Sequence, residues 1–227
     1  SSVLQVTTCY NGQGSGKVVD VILGDAQDHS SLYTGKIQYG VGTSSAKSGS
    51  GMNLIIKDEL VVSGAVLETT FSGGTSATIT IDTALAKVAG LIDNSTGKTV
   101  YVVGTEDEDH GINRILELTG AGDYTYKGAL GTHLDLVHSG EGTQSFTGDL
   151  SAFNGSVTVS RGSLVLVNSG ETSTLNGTVP VADSATLTMR NMNIGAKISG
   201  KGTIEQNNAL IAVKDASGNI IWSWHIW

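Results

Sequence analysis

The sequence predicts an all-β chain wound into a parallel β-helix, that is, a β-solenoid, and three observations carry the expectation. Of its 227 residues, 31 are Gly, 25 are Ser, 25 are Thr and one is Pro, so turn-forming and strand-tolerant residues exceed a third of the chain. Aromatic residues contribute 5% and charged residues 15%, which leaves few of the large side chains that a deep helical core requires. Short leucine strands also recur at intervals of 18 to 30 residues through the C-terminal half, the mark of a stacked repeat.

The N-terminal part, residues 1–113, has the same texture without a fixed period. Val18-Val19-Asp20-Val21-Ile22-Leu23, Leu54-Ile55-Ile56, Leu60-Val61-Val62, Ala77-Thr78-Ile79-Thr80-Ile81 and Thr99-Val100-Tyr101-Val102-Val103 are rich in β-branched residues and bounded by Gly and Ser, so each reads as a strand. The segment Asp82 to Ile92 is the exception. Its Leu85, Val88, Ala89 and Ile92 fall at helical spacing behind an Asp82 placed to cap them, which predicts one short helix. Gly40 to Gly51 is Gly and Ser in the main and reads as a projecting flexible loop.

In the regular coils, residues 114–213, the leucine strands begin at Leu116, Leu134, Leu164, Leu187 and Leu210, spaced 18, 30, 23 and 23 residues apart. A second series, each ending at Gly, lies between them: Tyr124 to Gly128, Gln144 to Gly148, Thr174 to Gly177 and Lys197 to Gly200. The longest interval holds a further run, Ser156 to Ser160, which reads as an inserted strand. A unit of this size cannot bury its apolar face alone, whereas coils stacked at about 4.8 Å share one continuous core. Alternation sends Leu164 and Leu166 inward, with Leu187 and Met189 and then Leu210 and Ala212 expected in line with them. Asn154-Gly155 and Asn176-Gly177 read as corners that need positive φ.

The last segment, residues 214–227, reads as a cap. Asp215 to Asn219 suits a hairpin turn, and Ile221 to Trp227 gathers all three tryptophans where an open solenoid end needs cover. The whole chain is therefore expected to be one elongated domain.

The segments Leu118-Thr119-Gly120-Ala121-Gly122-Asp123-Tyr124-Thr125-Tyr126-Lys127-Gly128 and Gly155-Ser156-Val157-Thr158-Val159-Ser160-Arg161-Gly162-Ser163-Leu164-Val165-Leu166 combine a Gly-rich turn with Thr- or Tyr-rich and leucine strands. Over residues 115 to 213, somewhat under half of the chain, this resembles the passenger-associated strand repeats of bacterial autotransporters. The resemblance implies a right-handed parallel β-helix exported to the surface of a Gram-negative cell and engaged in adhesion. No strand series of a translocating β-barrel accompanies the repeats, a departure from a full autotransporter.

Charge and cysteine content narrow the function classes. Thirteen basic and 21 acidic residues give a net charge of −8, which offers no basic footprint for nucleic acid. No apolar run reaches the ~18 residues of a membrane helix, so no membrane insertion of this segment is expected. Cys9 stands alone, which excludes an internal disulfide and a cysteine zinc site.

Three groups of residues are candidates for chemistry. Asp82-Thr83-Ala84 and Asp183-Ser184-Ala185 each follow an apolar strand and resemble the paired elements of aspartic peptidases, where two carboxylates share a proton and activate water. A cap at Asp82 and a corner at Asp183 account for the same residues. Glu106, Asp107, Glu108 and Asp109 supply oxygen for Ca²⁺, the one cofactor considered, although consecutive acids cannot all face one ion and a solvated loop is preferred. Trp222, Trp224 and Trp227 form either an aromatic platform for sugar rings or the cap itself. Ser44-Ser45-Ala46-Lys47 and the Gly12 to Lys17 run lack the context of a serine hydrolase or a phosphate loop and are set aside.

The leading expectation is a secreted or cell-surface solenoid without enzymatic activity that binds a host or environmental glycan or glycoprotein. The alternative is a secreted hydrolase, either an aspartic-type peptidase acting on mucin-like glycoprotein through Asp82 and Asp183 or a β-helical glycan-active enzyme. A structural stalk is the third.

Overall fold

The computed structural model describes residues 2–8, 18–25, 32–41, 51–72, 76–96, 99–106, 111–195, 197–206, 210–214 and 220–225. Among these residues every regular element is a strand. Successive passes of the chain lay the strands into three parallel stacks. The first holds β1 (Val3–Thr8), β3 (Lys36–Val41), β5 (Val66–Thr69) and β8 (Gly90–Asp93), then β11 (Asp123–Tyr126), β14 (Thr143–Phe146), β16 (Ser163–Val167), β19 (Thr186–Arg190) and β22 (Thr203–Gln206). The second holds β2 (Val18–Leu23), β4 (Gly51–Ile56), β6 (Ser76–Ile81), β9 (Tyr101–Gly104) and β12 (Ala129–Leu130), with β17 (Ser173–Leu175) and β20 (Met192–Ile194) in the corresponding place of later coils. The third holds β7 (Leu85–Val88), β10 (Arg114–Leu118), β13 (Leu134–His138), β15 (Val157–Val159), β18 (Val179–Val181) and β21 (Ile198–Gly200). β23 (Leu210–Lys214) and β24 (Ile220–His225) pair antiparallel as a terminal hairpin. Parallel stacks visited in a fixed order are the arrangement of a β-solenoid.

Alternation within each strand decides what the stacks enclose. In β13 and β16 every second residue is buried, so one column of aliphatic side chains fills the interior while hydroxyls and charges face out. Leu164 pairs with Leu187 and Leu166 with Met189, the ladder expected from sequence. The next rung differs from that expectation. It is Ile204 and Gln206 of β22, because Leu210 and Ala212 belong to the antiparallel hairpin. The leucine intervals had mixed two faces: Leu116 and Leu134 lie in the third stack, Leu164 and Leu187 in the first. Within one face the step is near 20, since Asp123 pairs with Thr143 and Thr143 with Ser163. The run around Val157 to Val159 is an ordinary rung, β15, paired to β13.

The short helix expected over Asp82 to Ile92 is not formed; the segment is β7, a corner at Ala89 and β8. Helical spacing had grouped Leu85, Val88, Ala89 and Ile92, but the buried set is Ala86, Val88, Gly90, Leu91 and Asp93. That set is two period-2 strands offset by one residue at a bend. Pairing β7 to β10 and β8 to β5 satisfies more backbone than an isolated three-turn helix, which is marginal without packing.

One junction in the first stack is made by side chains. β8 and β11 are neighbours, yet no backbone ladder joins them. Gln144, fully buried in the next strand, spans the gap: its Oε1 accepts the Leu91 N–H at 2.9 Å and its Nε2 donates to the Leu91 carbonyl at 3.1 Å. A single carboxamide takes the place of the peptide that an unbroken ladder would present. Gly90 is required beside it, because a Cβ there would sit 2.2 Å from the Tyr124 ring. Gln144→Leu keeps the volume but strands two buried backbone groups, so urea unfolding should show a loss of about 2–4 kcal/mol; a loss below about 0.5 kcal/mol, the level of a neutral surface change, would deny the bridge its role.

Candidate functional site

Asp82 follows β6 at the corner leading to β7. Its Oδ1 accepts from the Thr105 hydroxyl at 3.0 Å and its Oδ2 lies 3.4 Å from Lys57 Nζ. Thr105 in turn accepts from Arg114 Nε at 3.0 Å. This partly exposed network fastens a corner, and pairs of this kind contribute under about 1 kcal/mol. Asp183 lies exposed at a different corner, after β18, where the chain turns through Ser184 at φ 66°. β7 and β18 are four rungs apart in the third stack, or about 19 Å at 4.8 Å per rung. The fold thus does not bring the two carboxylates together, and a shared proton requires that they touch.

Glu106 is exposed after β9, while Asp107, Glu108 and Asp109 lie outside the described residues. The backbones of Trp222 and Trp224 belong to β24, Trp222 opposite Val213 and Trp224 opposite Ile211. Trp227, Cys9, Ser44 to Lys47, Gly12 to Lys17 and the turn residues Asp215 to Asn219 also lie outside the described residues. The described residues contain no cluster of His, Cys, Asp and Glu suited to a metal ion, and no helix long and apolar enough to cross a membrane.

The outward faces carry ordered polar columns. On the first stack, Asp123, Thr143, Ser163, Thr186 and Thr203 follow one another rung by rung, beside Thr125, Ser145, Val165, Thr188 and Glu205. Nearer the N terminus the same face carries Gln5, Gln38 and Glu68. Gln5 Nε2 donates to Gln38 Oε1 at 3.1 Å, and Gln38 Nε2 to Glu68 Oε2 at 2.9 Å. Lys36 and Asn94 complete the set around Glu68, at 3.0 and 2.5 Å. Burial alone would raise the Glu68 carboxyl, but the donors from Gln38, Lys36 and Asn94 together hold it below its ordinary range.

A concave feature lies on the third stack. Thr158, Ser160, Pro180, Ala182, Ser199 and Gly200, drawn from β15, β18, β21 and the corners after them, line an open groove of about 190 Å³. Pro180 lies in its lining. It has no N–H to give to the ladder, and the pairing of β15 with β18 is confined to Val159 and Val181. Its lining brings the apolar Pro180 and Ala182 together with the hydroxyl-bearing Thr158, Ser160 and Ser199.

His138 stands on β13, the strand paired to the β15 side of the groove. It pairs with Val159, and its carbonyl accepts the Ser160 N–H at 2.8 Å. The imidazole points inward and is 2% exposed; Nε2 meets the Gly142 carbonyl at 3.0 Å and Nδ1 has no partner. Burial pulls its pKa below the ordinary histidine value, against the opposing carbonyls of Gly142 and Leu118. Sequence reasoning singles out neither His138 nor the groove. The signal was present, however, since the only proline of the chain stands inside the strand-like run Thr178-Val179-Pro180-Val181.

No protein-family model, curated protein or solved structure matches the chain. Its site is therefore read from its own geometry. Glu68 offers a direct check of that geometry. A carboxyl held below its unfolded value stabilises the fold above about pH 4.3, and that contribution is lost as pH falls through the lower folded value. Glu68→Gln should therefore be less stable than the unaltered protein at pH 7, and the two denaturation midpoints should converge as the pH falls below about 4.3. A gap that stays constant with pH would show that the donors around Glu68 do not act on its charge.

Proposed function

We propose that the chain is an exported, right-handed β-solenoid that binds glycan or glycoprotein at a bacterial cell surface, as its resemblance to autotransporter passengers implies. The observation that carries this reading is the groove at Pro180. Sugar recognition needs an apolar surface for the C–H face of a pyranose and a few placed hydroxyls for its O–H groups. Pro180 and Ala182 offer the first; Thr158, Ser160 and Ser199 offer the second. A volume of about 190 Å³ is below that of a drug-sized site and suits one sugar unit of a longer chain. The hydroxyl columns on the first stack add shallow polar contact along the solenoid. A peptidase built on Asp82 and Asp183 is disfavoured by their separation of four rungs.

The test is retention on an immobilised mucin-type glycoprotein at pH 7, with fragmentation scored in parallel. Ser199→Trp, which fills the groove, should weaken retention at least about tenfold, or about 1.4 kcal/mol. Lys127→Trp, at the exposed corner after β11, should leave it unchanged. Equal loss in both variants would remove the groove from the account. Fragmentation abolished in an Asp82→Ala, Asp183→Ala double variant would replace adhesion by peptidase activity, and neither retention nor fragmentation would leave a stalk.

A further inference from the structure

Resting on the groove as the ligand site, we propose that His138 is its acid-sensitive latch: protonation of the imidazole loosens the β13–β15 rung, and the groove wall at Val159 and Ser160 opens and releases its ligand. Four observations converge. His138 is buried, paired through its backbone to both residues of that wall, bonded at Nε2 to the Gly142 carbonyl, and bare at Nδ1. With Nε2–H as donor the ring is neutral, and a second proton must sit on Nδ1. The Leu118 carbonyl of the paired rung already accepts the N–H groups of Ser139 and Gly140, each at 3.0 Å. A proton on Nδ1 would make a buried cation whose acceptor there is this doubly engaged carbonyl, a state the fold relieves by exposing the ring.

No charge nearby offsets it. On β10, Arg114 is engaged with Thr105 four residues from the paired Leu118, and the Glu117 carboxylate takes the Ser139 hydroxyl at 2.5 Å. On β13 itself, Asp135 accepts from Asn113 and from the Ser156 N–H. Glu141, beyond the strand, pairs with Arg161 on the exposed surface. β14, β15 and β16 carry no titratable side chain. Acid therefore acts on the imidazole without a carboxylate to receive it.

The sign follows from the direction of the histidine shift. Ring protonation is harder in the folded state, so the closed wall is fully stable above about pH 6.5 and weakens as pH falls below it. Native-state hydrogen exchange, corrected for intrinsic rates, should show the Ser160 amide opening more readily by up to about tenfold per pH unit between pH 6.5 and 5. His138→Gln, which retains a donor for Gly142 and cannot titrate, should flatten that dependence. Retention on the mucin-type glycoprotein should fall over the same pH range in the unaltered protein and persist in His138→Gln. The exchange readout needs no ligand, so failure to bind mucin at any pH would sink the glycan reading, and Ser160 exchange alone would uphold or overturn the latch. Equal pH dependence of Ser160 opening in both proteins would overturn the latch. Should His138→Gln not fold, imidazole ¹⁵N shifts of the unaltered protein decide: an ordinary titration near pH 6.5 with constant Ser160 protection overturns it.

Discussion

The structure depends on one constraint: each strand of the three stacks finds its backbone partners in the coil before and the coil after. Parallel pairing of this kind fixes the step between coils at about 4.8 Å, whatever the length of chain spent on each turn. Corners therefore absorb variation. One pass from Lys36 to its partner Val66 takes 30 residues, while that from Thr186 to Thr203 takes 17. The tight corners must pass without a side chain on the inner side. At Gly142 a Cβ would stand 2.0 Å from the Gly122 carbonyl, and at Gly162 it would stand 2.4 Å from the Gly142 carbonyl. Glycine stacks on glycine there because the ladder leaves no room for anything else.

The same constraint governs polarity inside the core. A buried donor is tolerated where it serves a backbone carbonyl of another coil. The Tyr126 hydroxyl donates to the Val100 carbonyl at 2.8 Å, and the Tyr39 hydroxyl contacts the carbonyls of Met52 and Thr78. Burial pushes both phenols above their ordinary range, and each ring packs edge-on against a phenylalanine, Phe71 for Tyr39 and Phe146 for Tyr126. His138 departs from the pattern, with one nitrogen satisfied and one bare.

Period 2 and the Gly punctuation made the strand character and the Leu164–Leu187, Leu166–Met189 ladder legible, because burial of one face leaves its mark on every second residue. Which face a leucine strand belongs to was not legible, since all three faces use the same residues and only pairing tells them apart. Residues 82–92 misled for a related reason: two short strands meeting at a bend imitate helical spacing over one window. The Asn-Gly corners were read as positive-φ turns. Among the described residues Gly155 and Gly177 are not at positive φ; what excludes a side chain is contact, 1.9 Å from the Leu134 carbonyl and 2.4 Å from the Ser156 hydroxyl. Such contacts join residues about 20 positions apart, beyond any local pattern. The groove was partly legible through Pro180 and the bare imidazole not at all, because burial of one histidine among five is decided by stacking.

The Gln144 junction gives the solenoid an uneven stiffness along its axis. In the second and third stacks, backbone ladders run unbroken past this level, from β6 through β9 to β12 and from β7 through β10 to β13. In the first, the crossing between β8 and β11 is held by a carboxamide and a tyrosine ring. Bending that stretches the first face therefore loads two side chains before it loads any strand pair, while bending toward either other face meets continuous sheet. On that face the buried glutamine carries the load that a peptide ladder carries on the other two.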